Sequence, residues 1–247
     1  MKTNKRITMI ILLILVVIGG TGCMSSEGNI LNYLEGKYGE KFAVEGKQKG
    51  SLLFPNMYGR DKLYVYPEGK PEQIFEAGQS QSKEIHYYDG YISAIWGDEL
   101  TKSLNDQLEK YLPKESIYRV FVNSSEDDAR FKDLSLYDYI KNENNKLMVV
   151  LEVAIRTDGE PNLDEYSTGL YQAFEVIKNL QTKYCTLSVG FVDKSEDKMA
   201  DYIRTSNVNN LPWSNLDAQV YGYLMVDDRY NFHSPEELMK YYKVAEE

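Results

Sequence analysis

The stretch 147-LMVVLEVAI-155 alternates, with Leu147, Val149, Leu151, Val153 and Ile155 on one side of an extended chain. A period of two marks a strand with one face against a core. The run 185-CTLSVGFV-192 repeats the pattern with Cys185, Leu187, Val189 and Phe191. Between the two, Pro161 opens an amphipathic segment predicted as a helix to about Lys183, with Leu163, Tyr166, Leu170, Phe174, Ile177 and Leu180 facing inward. Strand, helix and strand in that order predict a sheet packed by helices on at least one face.

Working outward, 117–122 and 219–226 are predicted strands, which makes about four in this half of the chain, while 134–141 and 195–205 are predicted helices. Ser234-Pro235-Glu236-Glu237 is a capping box with proline at its first helical position, predicting a helix to about Ala245. The N-terminal half differs. A helix is predicted over 29–38, with Ile30, Leu34 and Tyr38 at fourfold spacing and Gly39 as its stop. Short strands follow at 41–45, 51–54, 62–66, 73–77 and 84–88, then a long helix from Tyr91 to Pro113. The fold class is α+β: an N-terminal helix and antiparallel-strand unit over 29–113, then a C-terminal α/β-type unit over 114–247. The break falls at Leu112-Pro113-Lys114, and the halves show no internal repeat.

The first residues are of another kind. Lys2, Lys5 and Arg6 precede an apolar run from Met9 to Ile18, and Gly19-Gly20-Thr21-Gly22-Cys23 follow. A basic start, a short apolar segment and a small-residue exit compose a secretory signal. The run is too short for the roughly 20 residues of a spanning helix. Gly20-Thr21-Gly22-Cys23 resembles the bacterial lipobox, with Gly20 where an aliphatic residue is usual. That resemblance implies a signal peptide over 1–22 and a diacylglyceryl group on Cys23, which becomes the mature N-terminus. Two acyl chains hold where one is only marginal. Residues 23–28 are then a short tether, and the expected location is the extracytoplasmic face of the cell membrane.

Charge narrows the partners. The chain carries 28 basic and 38 acidic residues, and loss of 1–22 takes its net charge from −10 to −13. An acidic body lacks the basic footprint that nucleic acid needs. That leaves the membrane, through the lipid anchor, and an envelope protein or peptide as partners.

The sequence carries little catalytic equipment. His86 and His233 are far apart, and no metal-ligand spacing is present. Cys185 alternates with buried positions and reads as a core thiol. The acidic clusters at 126–128, 158–165 and 227–228 lack the spacing of a calcium loop and read as solvated loops and helix starts. No serine-nucleophile, phosphate-loop or dinucleotide motif occurs, so no catalytic, cofactor-binding or metal residue is assigned and no cofactor is expected. Many of the 21 tyrosines fall at packing positions.

The segments "YLEGKYGEKFAVE", "LYVYPEG" and "YYDGYISAIW" resemble uncharacterised lipoproteins of Gram-positive bacteria over roughly 29–112. The resemblance implies location and assigns no site residue. The expected function is a non-catalytic binding or accessory module at the cell envelope. The alternatives are an envelope hydrolase using acidic residues, or the substrate-binding component of a transporter.

Replacing the acylated residue tests the anchor. Cys23→Ala abolishes lipid labelling and leaves the precursor uncleaved in the membrane fraction; a variant matured and released like the parent contradicts the lipobox reading.

Overall fold

A computed structural model describes residues 26–51, 59–80, 86–142, 146–209 and 211–245. Cys23 and most of the strand expected over 51–54 lie outside them. Helix α1, Ser26–Tyr38, buries Ile30, Leu34 and Tyr38 and ends at Gly39, whose φ of +68° closes the helix at no steric cost. It begins three residues earlier than expected, taking in Ser26, Glu27 and Gly28. Strands β1 (Phe42–Gln48), β2 (Lys62–Pro67), β3 (Phe75–Gln79) and β4 (Tyr87–Asp89) form an antiparallel sheet in that order.

A buried carboxylate ties α1 to the end of β4. Asp89 accepts from the Tyr38 hydroxyl at 2.7 Å, the Tyr33 hydroxyl at 2.9 Å and the backbone N–H of Tyr91 at 3.1 Å. Lys37 pairs with it at 2.8 Å, over the rings of Tyr33 and Tyr38. A buried charge is tolerated only when paired and hydrogen-bonded in this way.

Helix α2, Tyr91–Tyr111, turns a wide buried stripe, including Ile92, Trp96, Leu100, Leu104 and Leu108, into one core shared by both halves of the chain. It also covers the edge strand β5, Ile117–Asn123. Thr101 Oγ1 accepts from Val120 N at 3.0 Å, and Gly97 lets the helix backbone approach Val120. This masks an edge that would otherwise pair with another chain.

The second sheet has the order β5-β6-β7-β8-β9, with β6 Met148–Thr157, β7 Tyr184–Asp193, β8 Val220–Asp227 and β9 Tyr242–Val244. Strands β6 and β7 are parallel and joined through α4, Leu163–Lys178; the other neighbours are antiparallel. Its inner face, with Val120, Leu151, Val153, Val189, Phe191 and Leu224, packs under α2 and α4. A short helix α3, Leu136–Asn142, lies against α2, and α5, Met199–Asn209, crosses the outer face. Among the described residues no helix is long and apolar enough to cross a membrane.

Among the described residues the expected strands and helices recur, with two further corrections. Helix α4 stops at Lys178, short of Lys183, where the chain turns and Gln181 takes a φ of 55°. The C-terminal helix α6 is only Pro235–Met239, and "YKV" after it forms a fifth strand instead of continuing to Ala245. Tyr242 lays its ring over Gly222 of β8, where a Cβ would collide with it, and packs 5.7 Å from Phe191. That cross-strand burial outweighs one more turn of exposed helix. The capping box itself forms, with Ser234 accepting from Glu237 N.

Two helix glycines predict opposite responses. A Cβ at Gly169 of α4 would run into the backbone carbonyl of Tyr111, which cannot rotate away. Gly169→Ala therefore lowers stability by about 1–3 kcal/mol in denaturant melts. Gly36 of α1 has open space, so Gly36→Ala raises stability by roughly 0.5–1 kcal/mol.

Candidate binding cleft

The outer face of the second sheet is covered over only part of its area. At the Ala154 and Val192 end, Met199, Tyr202 and Ile203 of α5 and the ring of Trp213 form a second, smaller core. Trp213 lies on β7 because residue 190 is glycine, where a Cβ would overlap the indole. Its Nε1 donates to Ser188 Oγ at 2.9 Å, satisfying both buried groups.

Among the described residues the cover stops beyond Trp213, and a cleft of about 700 Å³ opens on the sheet. Phe121, Met148, Val150, Thr186 and Met225 line its floor, and Tyr202, Ser206 and Leu211 its wall. That volume suits a small organic ligand. Met225 is 62% exposed and Met148 37%; with Leu211 and Tyr230 they make four of the nine large hydrophobic side chains left exposed among the described residues. Such a concentration in one concave place marks a recognition surface.

Glu152 stands in that apolar floor. Its Oε2 accepts from Ser206 Oγ at 2.7 Å, and its Oε1 lies 3.3 Å from the Tyr202 hydroxyl. Burial pushes its carboxyl above the usual range, against the opposing pull of the Ser206 hydrogen bond. Arg119 is opposite Glu152 in register, yet its guanidinium is held by Glu72, Nη1 to Oε2 at 2.7 Å. Arg229, at the rim, forks onto Asp227 at 2.9 and 3.0 Å.

The residues singled out in the sequence lie elsewhere or do structural work. Cys185 is buried on the inner face, and burial, with Asp228 nearby, pushes its thiol up to about 12. His233 precedes α6 and donates its backbone N–H to Glu237 at 2.8 Å, while His86 bonds Ser80 through its backbone carbonyl just before β4. Asp128 accepts from Arg130 N at the start of a 3₁₀ turn, and Asp164 and Glu165 sit in the first turn of α4. Of the tyrosines, Tyr38, Tyr91, Tyr139 and Tyr202 are buried in packing. No group of three or more histidine, cysteine, aspartate or glutamate side chains could hold a metal among the described residues. Glu152 was the residue missed. Its signal was a lone charge inside the apolar run 147-LMVVLEVAI-155.

No family model matches this chain, nor does any curated protein. A crystal structure of a DUF5037 family protein from Ruminococcus gnavus ATCC 29149 is similar, with a TM-score of 0.55 at 20% identity. The match covers 83% of this chain and 91% of that one, and shows a shared fold.

The raised carboxyl gives a signed prediction. The fold favours protonated Glu152, so its contribution to stability is complete below the ordinary glutamate range and is lost as pH rises through the raised value. Glu152→Gln removes that loss. The variant melts with the parent at acid pH and above it at neutral and alkaline pH, as thermal denaturation across pH will show.

Proposed function

We propose that this chain is a lipid-anchored extracytoplasmic binding module, held to the membrane through Cys23 and taking a small ligand in the cleft of its second sheet. The observation that carries the binding role is the pairing of an open, apolar cleft with one half-buried carboxyl, Glu152, on its floor. The anchor rests on the signal-like residues 1–22 and the small residues before Cys23. Only Met24 and Ser25 separate Cys23 from the first turn of α1, so the tether reaches roughly 10 Å when extended. The folded body then sits against the membrane surface, and its acidity keeps it from lying down on anionic lipid.

The cleft favours binding over hydrolysis. Glu152 and Asp227 are the carboxylates among its described lining residues, and Asp227 is engaged by Arg229. A glycosidase needs two carboxyl groups free to face one bond.

Filling the cleft tests the reading. In a thermal-shift screen of small amphiphilic compounds, hits raise the melting temperature of the parent and not of Thr186→Trp, whose indole occupies the floor. Hits that shift both proteins equally, or a screen without hits, contradict the cleft as the ligand site.

A further inference from the structure

The protons available around Glu152 restrict what enters the cleft. Each neighbouring strand and helix presents one or two groups to it, and most are already committed. Arg119 on β5 is bound to Glu72 through Nη1 at 2.7 Å and through Nη2 to the Glu72 carbonyl. Ser188 on β7 accepts from Trp213 and is not bonded to Glu152, and Ser206 on α5 donates to Oε2. Tyr202 on α5 has one hydroxyl proton and two acceptors: the Leu211 carbonyl at 2.8 Å and Glu152 Oε1 at 3.3 Å. The shorter contact takes it. Oε1 is therefore left without a committed protein donor on a half-buried, mostly apolar floor, which is costly for an ionised carboxylate.

Two arrangements remove that cost. In the empty cleft, a proton on Oε1 is donated to Tyr202 Oη, which passes its own to Leu211. This chain matches the observed distances. In an occupied cleft, a positive group on the ligand takes the place of that proton. No fixed cation competes for it: Arg229 is the only cationic side chain among the described lining residues, and it is paired with Asp227. The chain as a whole is negative, which favours the approach of cations.

We infer that the cleft binds an organic cation, a primary ammonium or guanidinium group on a flat apolar body. The cation sits on Oε1 of Glu152, and the body lies over Phe121, Val150 and Met225. The inference rests on the cleft being a ligand site and adds the class of ligand. Binding expels the Oε1 proton to solvent, so proton release accompanies it.

The test is calorimetry on the full chain in lipid nanodiscs with three probes of one shape: tryptamine, its neutral analogue tryptophol, and the anion indole-3-acetate. Tryptamine binds at least about tenfold more tightly than tryptophol, as a charge-assisted hydrogen bond requires, and indole-3-acetate does not bind. Glu152→Gln removes that advantage and leaves tryptophol within about twofold. The heat of tryptamine binding varies with the ionisation enthalpy of the buffer in the parent and not in the variant. Tryptophol or indole-3-acetate binding as tightly as tryptamine, in a manner abolished by Thr186→Trp, overturns the cation and leaves the cleft standing. Failure of all three probes, or binding unaffected by Thr186→Trp, overturns both.

Discussion

The second sheet is covered unequally on its two faces, and the organisation of the molecule follows from that. Helices α2 and α4 close its inner face, where β6, β7 and β8 present branched and aromatic side chains in alternation. On the outer face, α5 and Trp213 reach only as far as Glu152 and Ser188. The boundary depends on local chemistry: Gly190 admits the indole, Ser188 satisfies it, and Tyr202 and Ser206 turn polar tips toward Glu152. An apolar floor with one carboxyl, left open by the described residues, is a poor arrangement for stability alone. It is a suitable one for holding an amphipathic ligand.

The N-terminal half supplies rigidity. Two of the N-terminal sequence segments meet in one buried knot: Tyr33, Lys37 and Tyr38 from "YLEGKYG" close on Asp89 from "YYDGY". Glu40 continues it, pairing with Lys132 and receiving the Tyr91 hydroxyl. Phe42 packs edge-on against Tyr91. These residues fix α1, the first sheet and the start of α2 in one geometry, so their spacing records architecture. Through α2 the same knot orients β5, one edge of the cleft floor.

Much of the fold was legible because its strands bury one side. In 147-LMVVLEVAI-155 and 185-CTLSVGFV-192 the alternation alone separates core from outer face, and it places Cys185 among buried residues. The fifth strand was not legible. "KYYKV" follows a strong capping box, and only the space above Gly222, on the neighbouring strand β8, turns Tyr242 into a strand residue. The end of α4 was hidden in the same way, in a backbone turn at Gln181 with no glycine to announce it. Least legible was the cleft, since its floor comes from four strands and its wall from a helix whose reach across the sheet no local pattern encodes. Glu152 stood in plain view, but periodicity assigns it to an outer face without saying whether that face is covered.

Methionine methyl NMR tests the central claim most directly, because the side chains are placed to report it. Met148 and Met225 border the open cleft, while Met199, at the start of α5, is buried in the smaller core. With carbon-13 methyl label and increasing tryptamine, Met148 and Met225 shift saturably and Met199 does not move. Shifts absent from both cleft methionines, with the ligand bound elsewhere or not at all, would contradict the claim.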